Sequence, residues 1–524
     1  MLAKVHSAQV GGLRADIVDV EVDVARGLHS FSIVGLPDQA IEEAKDRISA
    51  AIKNSGFSPP QKGNRKVIVS LAPADLKKEG SGFDLAIAVA HLLATNEATF
   101  PAAGRAFLGE LALNGDLRPI RGILLAVRKL QLSGFHEVYL PLANAREGAL
   151  IRGIKIYGVA NLRQLIDHLS PTTPQGVNDE TVTVKVANPA LNEQPETAIS
   201  YDQDYQLTDF ADIKSQATAK RGLEIAAAGG HNVAMAGPPG TGKTMLARAF
   251  NGLLPPLTFD EILEVTGIHS AAGHLQGDLV VRPVFRSPHH TASYIALVGG
   301  GPTPKPGEIT LAHCGVLFLD EFPEFDRRVI ESLRQPLEDR VISISRARGT
   351  IVFPASFILV ATMNYCPCGN RGLRGRECIC NPGALLRYQR KLSGPIIDRI
   401  DLWLEVPQID PEKLTASGGG EEPSAAIRER VVRARQIQTE RFRNDPRPIK
   451  LNSQMGVKEI KHHAPLSAES LKLLNDSARR LDLSARAYHR VIKLARTIAD
   501  LAGATEIAEP HLLEALQYRP KNQN

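Results

Sequence analysis

Eight consecutive residues, Gly237-Pro-Pro-Gly-Thr-Gly-Lys-Thr244, constrain this chain more than any other feature. They match the pattern G-x-x-x-x-G-K-[ST] in full, after the apolar run Val233-Ala-Met-Ala236 and before the helix-like Met245-Leu-Ala-Arg-Ala-Phe250. A strand, a glycine-rich turn and a helix in that order predict an α/β core built to cradle phosphate. Gly237, Gly240 and Gly242 let the backbone N–H groups of the turn, which also holds Pro238, Pro239 and Thr241, converge on the β- and γ-phosphates. Lys243 is expected to reach the same oxygens, and Thr244 to offer its hydroxyl to Mg²⁺. The chain is therefore expected to bind ATP or GTP.

With 524 residues, 43% of them apolar and 23% charged, the chain has room for three ordinary domains. No apolar stretch approaches the roughly 18 residues that span a bilayer, and Met1-Leu-Ala-Lys-Val5 opens no signal-peptide core. The cytoplasm is the expected location, without membrane association. A formal net charge of +5 and a pI near 8.8 permit a nucleic-acid partner without requiring one. Polar, proline-bearing sequence over 171–205 and the run Ser417-Gly-Gly-Gly-Glu-Glu-Pro423 within 409–424 read as linkers. They delimit an N-terminal domain over 1–170, a core over 206–408 and a helical C-terminal domain over 425–524.

In the first domain Val18, Val20, Val22 and Val24 alternate with Asp19, Glu21 and Asp23, the period-two signature of a half-buried strand. Phe31-Ser-Ile-Val34 and Lys66-Val-Ile-Val-Ser-Leu71 read as further strands, with a helix between them from Asp38 to Asn54 carrying Ile41, Ala44, Ile48 and Ala51. The order of elements through Lys78-Glu-Gly-Ser-Gly-Phe-Asp-Leu85, Phe107-Leu-Gly-Glu-Leu111 and Glu137-Val-Tyr-Leu-Pro141 resembles the catalytic domain of Lon protease, a fold of the ribosomal-protein-S5 type. That protease uses a Ser/Lys pair. On its pattern Gly82 takes the place of the serine and Leu124 that of the lysine, so neither nucleophile nor base is present and the domain reads as non-proteolytic. Ser81, beside the lost position, is the alternative nucleophile, or an ordinary loop serine.

In the core, Gly315-Val-Leu-Phe-Leu-Asp-Glu321 is a buried-strand run ending in two carboxylates. Asp320 is placed to hold Mg²⁺ and Glu321 to activate the attacking water. A second apolar strand, Phe357-Ile-Leu-Val-Ala-Thr-Met363, delivers Asn364, which resembles the sensor asparagine of AAA+ ATPases. Pro395-Ile-Ile-Asp-Arg-Ile-Asp-Leu402 is similar to the segment that supplies an arginine finger in ring-forming AAA+ proteins. Arg399 would then reach the γ-phosphate on a neighbouring subunit; the alternative is an ion pair with Asp398 or Asp401. In the last domain Ser484-Ala-Arg-Ala-Tyr-His-Arg490 opens a helix running to Leu501, and Arg486 resembles the second-sensor arginine of the lid, with Arg490 as the other choice.

Three segments carry a narrower resemblance: Ala226-Ala-Ala-Gly-Gly-His-Asn-Val-Ala-Met-Ala-Gly-Pro-Pro-Gly240, Phe285-Arg-Ser-Pro-His-His-Thr291 and Pro306-Gly-Glu-Ile-Thr-Leu-Ala-His-Cys-Gly-Val-Leu-Phe-Leu-Asp-Glu-Phe322. They look like the magnesium-chelatase-like AAA+ family known as YifB/ComM, over essentially the whole chain. The resemblance implies a Lon-like N-terminal domain, an AAA+ P-loop core and a chelatase-type helical lid. It also implies a hexameric, ATP-driven DNA helicase that promotes branch migration during natural transformation. The competing expectation is the motor subunit of a metal chelatase, from which the Lon-like domain and a cysteine cluster are departures.

Val341-Ile-Ser-Ile-Ser-Arg-Ala-Arg-Gly-Thr-Ile-Val-Phe353 reads as a hairpin with Arg346 and Arg348 at its tip. These arginines suit DNA phosphates in a ring channel, or else a solvated turn. Arg286, His289 and His290 mark another loop to which no role is given. Four of the five cysteines, Cys366, Cys368, Cys378 and Cys380, are spaced so that they could surround one Zn²⁺; reduced thiols without metal are the alternative. Arg371, Arg374 and Arg376 share that loop.

Overall fold

The computed structural model describes residues 1–11, 14–28, 30–35, 39–61, 64–73, 78, 80–170, 191–199, 201, 208–275, 279–301, 305–346, 349–410, 412 and 421–520. Of the expected linkers, 171–190, 200, 202–205, 411 and 413–420 lie outside the described residues. The chain is a mixed α/β protein of two compact units, Met1–Ile199 with Leu263–Leu279, and Ser200–Ile262 with Val280–Asn524.

The first unit is built on a seven-stranded sheet in the order Ser30–Val34, Arg65–Ala72, Arg14–Arg26, Leu2–Gly11, Arg105–Phe107, Glu137–Pro141, Lys155–Val159. Leu2–Gly11 and Arg14–Arg26 pair antiparallel, and the strands from Arg105 onward run parallel. The valine alternation sorts the faces: Val18, Val20 and Val22 are fully buried, against the helices Gln39–Asn54 and Asp84–Ala94. The second of these is apolar along most of its length, which suits a helix buried on nearly all sides. Leu263–Leu279 completes this unit. The Ser270 hydroxyl accepts the Gly122 N–H at 3.0 Å and donates to the buried Glu147 carboxylate at 2.9 Å.

The second unit holds a parallel five-stranded sheet in the order Phe285–Arg286, Val316–Leu319, Ile358–Met363, Val233–Ala236, Leu402–Glu405. Continuous apolar runs such as Val316-Leu-Phe-Leu319 and Ile358-Leu-Val-Ala-Thr-Met363 are what a sheet covered on both faces demands. The C-terminal helices Ser424–Phe442, Ala468–Arg480, Ala485–Leu501 and Glu509–Gln517 share one apolar cluster with this sheet: Val233, Met235, Val360 and Leu404 join Val431, Leu474, Val491, Ile498 and Leu512. Ser484 caps the helix it was expected to open, its side chain accepting the Ala487 N–H at 3.2 Å.

At the N-terminal edge of the sheet, Asn232 ties three strands together. Its N–H donates to the buried Asp401 carboxylate at 2.9 Å, its amide oxygen accepts the Leu359 N–H at 2.9 Å, and its amide nitrogen donates to the Arg399 carbonyl at 3.2 Å. Asp401 also takes an ion pair from Arg490 and lies 3.7 Å from His231. Burial opposes its negative charge, but Arg490, His231 and the Asn232 N–H outweigh it and hold the carboxyl well below the usual carboxylate range.

Candidate active site

At the opposite edge, the strands Val233–Ala236, Val316–Leu319 and Ile358–Met363 end side by side, the place where open parallel sheets bind ligands. The turn leaving Val233–Ala236 passes too close to its neighbour for a side chain at its first residue, since a Cβ at Gly237 would lie 2.1 Å from the Val406 carbonyl oxygen. It closes on Gly242 at φ +88°, a left-handed geometry that glycine adopts without strain, and the helix Lys243–Asn251 begins there. Thr241 braces the turn by donating its hydroxyl to the Pro238 carbonyl at 3.0 Å.

The Lys243 ammonium donates to the carbonyls of Gly237 and Pro238, both at 2.7 Å, and to the Asn364 side-chain oxygen at 3.2 Å. Burial lowers its pKa while Asp320 and Glu321 work against the shift. The Thr244 hydroxyl lies 3.1 Å from one Asp320 oxygen. The other Asp320 oxygen accepts the Thr362 hydroxyl and the Glu321 N–H, the latter at 3.1 Å. A hydroxyl and a carboxylate so placed fit Mg²⁺, a hard cation that takes one or two protein oxygens beside those of phosphate and water. Glu321 stands at φ +53°, its N–H held by Asp320 and by the Thr362 hydroxyl at 3.2 Å, and its side chain reaches solvent 3.7 Å from the His290 ring. Five expected residues, Lys243, Thr244, Asp320, Glu321 and Asn364, are thus brought together.

The two arginines sit apart from them. Arg399 is buried, pairs with Glu338 and donates to the Pro395 carbonyl at 2.8 Å; its partner is neither Asp398 nor Asp401. Arg486, more than half exposed, lies 3.5 Å from the other oxygen of Glu338. Arg490 is committed to Asp401 and the Arg399 carbonyl. The hairpin forms as read, Val341–Arg346 against Gly349–Pro354 with Arg346 opposite Gly349. Arg348 and the Arg346 side chain lie outside what is described. Arg286 forms a bidentate pair with Glu308, both contacts at 2.6 Å.

The four cysteine sulfurs all lie within 4.8 Å of one another, with Cys366 and Cys368 at 3.4 Å and Cys368 and Cys378 at 3.7 Å. A disulfide would need about 2.05 Å. Four thiolates around Zn²⁺, at the usual bond of about 2.3 Å, stand about 3.8 Å apart, so this set fits the metal. The buried Cys366 sulfur also accepts the Arg371 N–H at 3.4 Å. In the first unit, Leu124 is packed in the core, Gly82 offers no side chain, and the Ser81 hydroxyl donates to the Glu110 carboxylate.

Sequence reasoning missed Thr362 and Glu338, and it marked His290 without giving it a role. Thr362 carried a signal, a hydroxyl inside an otherwise apolar strand; Glu338 carried none that distinguishes it from a surface carboxylate.

Three family models cover most of the chain: the magnesium chelatase subunit ChlI over residues 209–414, subunit ChlI of Mg-chelatase over 20–144, and the ChlI C-terminal region over 421–519. Competence protein ComM of Haemophilus influenzae is 42% identical over 524 residues, 99% of this chain and 97% of that protein. YifB of Escherichia coli is 41% identical over 521 residues, again 99% and 97%. Lon protease 2 of Bacillus subtilis is 30% identical over 148 residues, 26% of each chain. No helix among the described residues is long and apolar enough to cross a membrane.

Proposed function

The chain belongs to the YifB/ComM family of magnesium-chelatase-like AAA+ ATPases, and on that footing we propose that it is a ring-forming motor that uses ATP to move DNA. Its task in this reading is branch migration of recombination intermediates during natural transformation, in the cytoplasm, as a homo-hexamer. One observation carries the motor chemistry: Lys243, Thr244, Asp320, Glu321 and Asn364 gather at the C-terminal ends of three adjacent parallel strands. Its tie to competence comes from the name of the 42% identical relative.

Thr244 and Asp320 would hold Mg²⁺, which neutralises phosphate charge. The turn from Gly237 to Thr244 and the Lys243 ammonium grip the β- and γ-phosphates. Glu321 accepts the proton of the attacking water, and Asn364 orients that water. Arg399, donated by one subunit to the nucleotide of the next, and Arg486 of the lid stabilise the charge that develops on phosphate. Cys366, Cys368, Cys378 and Cys380 hold a structural Zn²⁺. Gly82 and Leu124 leave the Lon-like unit without acyl-transfer chemistry.

Strand exchange on three- and four-way DNA junctions tests the reading. ATP-dependent product is expected from the unaltered protein and none from Lys243→Ala. ATP consumption without strand movement, together with metal insertion into a porphyrin once partner subunits are added, would transfer the assignment to a chelatase motor, the reading favoured by the three chelatase-subunit models.

The hairpin makes a separate prediction. Contacts from Arg346 and Arg348 to phosphate release counterions, so the double change to alanine should weaken DNA binding on every sequence and reduce the slope of log K against log salt by about 1–2. A filter-binding series in salt that returned the original slope would remove both residues from the DNA track.

A further inference from the structure

The cysteine loop lies against the phosphate-binding turn. A Cβ at Gly369, where φ is +77°, would come within 3.2 Å of Pro239 Cγ; one at Gly372, where φ is +88°, within 3.3 Å of Pro238 Cγ and 3.1 Å of the Tyr365 ring. Two glycines at these points allow the loop backbone to seat directly on the two prolines of the turn, and both stand in left-handed conformations that other residues adopt at a cost. The loop is anchored on either side of this contact. Its first cysteine follows Asn364 by two residues, and the Asn364 carbonyl accepts the Tyr388 hydroxyl at 3.1 Å. At the far end the Arg374 N–H donates to the Gln408 side chain at 3.1 Å and its guanidinium pairs with Asp410, just beyond the strand Leu402–Glu405.

The loop has little apolar content with which to hold this shape. Of Cys366–Cys380 only Cys366 and Gly369 are buried, and Ile379 is 81% exposed. Beside a few hydrogen bonds, such as the Gly369 N–H to the Cys366 carbonyl at 3.1 Å, the convergence of four sulfurs joins both ends of the loop around Gly369 and Gly372, which fall between the two cysteine pairs.

We infer that metal held by Cys366, Cys368, Cys378 and Cys380 acts as a brace for nucleotide binding, keeping the loop on Pro238 and Pro239 so that the phosphate turn stays in its binding geometry. The inference rests on the zinc and ATP readings above and extends them to a coupling between the two sites. Filling the thiolate site raises affinity for the nucleotide because less of the loop's order has to be supplied when ATP binds.

The test measures zinc and nucleotide separately on the full-length protein. Zinc is counted by elemental analysis, and affinity is read by equilibrium titration with a fluorescent ATP analogue. Purified protein is expected to carry one zinc per chain. Stripping it with a chelator should weaken analogue binding about tenfold, the loss expected if the turn is competent in a tenth of molecules, and refilling with zinc should restore it. Gly369→Ala disturbs the contact without touching a sulfur: full zinc content with binding weakened about fivefold to tenfold is expected. Its melting curve, together with that of Cys378→Ser/Cys380→Ser, shows whether the unit is still folded. If stripped protein binds the analogue as tightly as the loaded form, or Gly369→Ala does, the brace is overturned while the zinc site stands. Protein that neither contains nor takes up zinc overturns both. Failure of every form to bind the analogue, with zinc present, counts instead against the ATP reading.

Discussion

Glu321→Gln is expected to retain nucleotide and to cut ATP turnover by roughly 10²- to 10⁴-fold, the usual worth of a positioned general base. The side chain is exposed at the mouth of the site while its backbone is fixed: its N–H is bound by Asp320 and Thr362, and its φ is +53°. Glutamine keeps that size and backbone geometry and removes only the capacity to take a proton. Equilibrium titration should therefore give a dissociation constant within about twofold of the original, because only ground-state contacts are read there. Lys243→Ala, by contrast, should weaken binding itself. Phosphate release from Glu321→Gln at more than about a tenth of the unaltered rate would assign the proton to another group, with His290, 3.7 Å away, the first to examine.

Asp401→Asn should destabilise the second unit by about 3–5 kcal/mol, the typical cost of leaving one member of a buried ion pair unmatched. Arg490 is the member left, and the Asn232 N–H that holds the strand ends in register loses a charged acceptor. The same carboxylate predicts a pH dependence. Its folded-state pKa is depressed, so the stability it contributes is fully present above the ordinary aspartate value of 3.8 and is lost as pH falls below it. Urea midpoints between pH 3 and 7 should decline on the acid side in the unaltered protein, and decline less steeply in the variant. Parallel curves, or a midpoint unmoved by the substitution, would show that the pair contributes nothing.

Local patterns conveyed the nucleotide site well because each of its parts is a short run with its own physical signature. Gly237 to Thr244, the strand ending in Asp320 and Glu321, and the strand ending in Asn364 each announce a sheet edge, and parallel pairing then brings those edges together. The valine alternation likewise marked the buried face of Arg14–Arg26. Sequence could not supply the partners chosen across long separations. Arg399 and Glu338 lie 61 residues apart, and Arg490 and Asp401 lie 89 apart, and a charged residue in a helix looks the same whether its counter-ion is nearby or on another element. The seat of Gly369 and Gly372 on the phosphate turn was hidden for the same reason.

Glu338 faces two cations with one negative charge. Taking either side chain away by substitution leaves the carboxylate wholly to the other, so changes at Arg399 and Arg486 should be non-additive through Glu338.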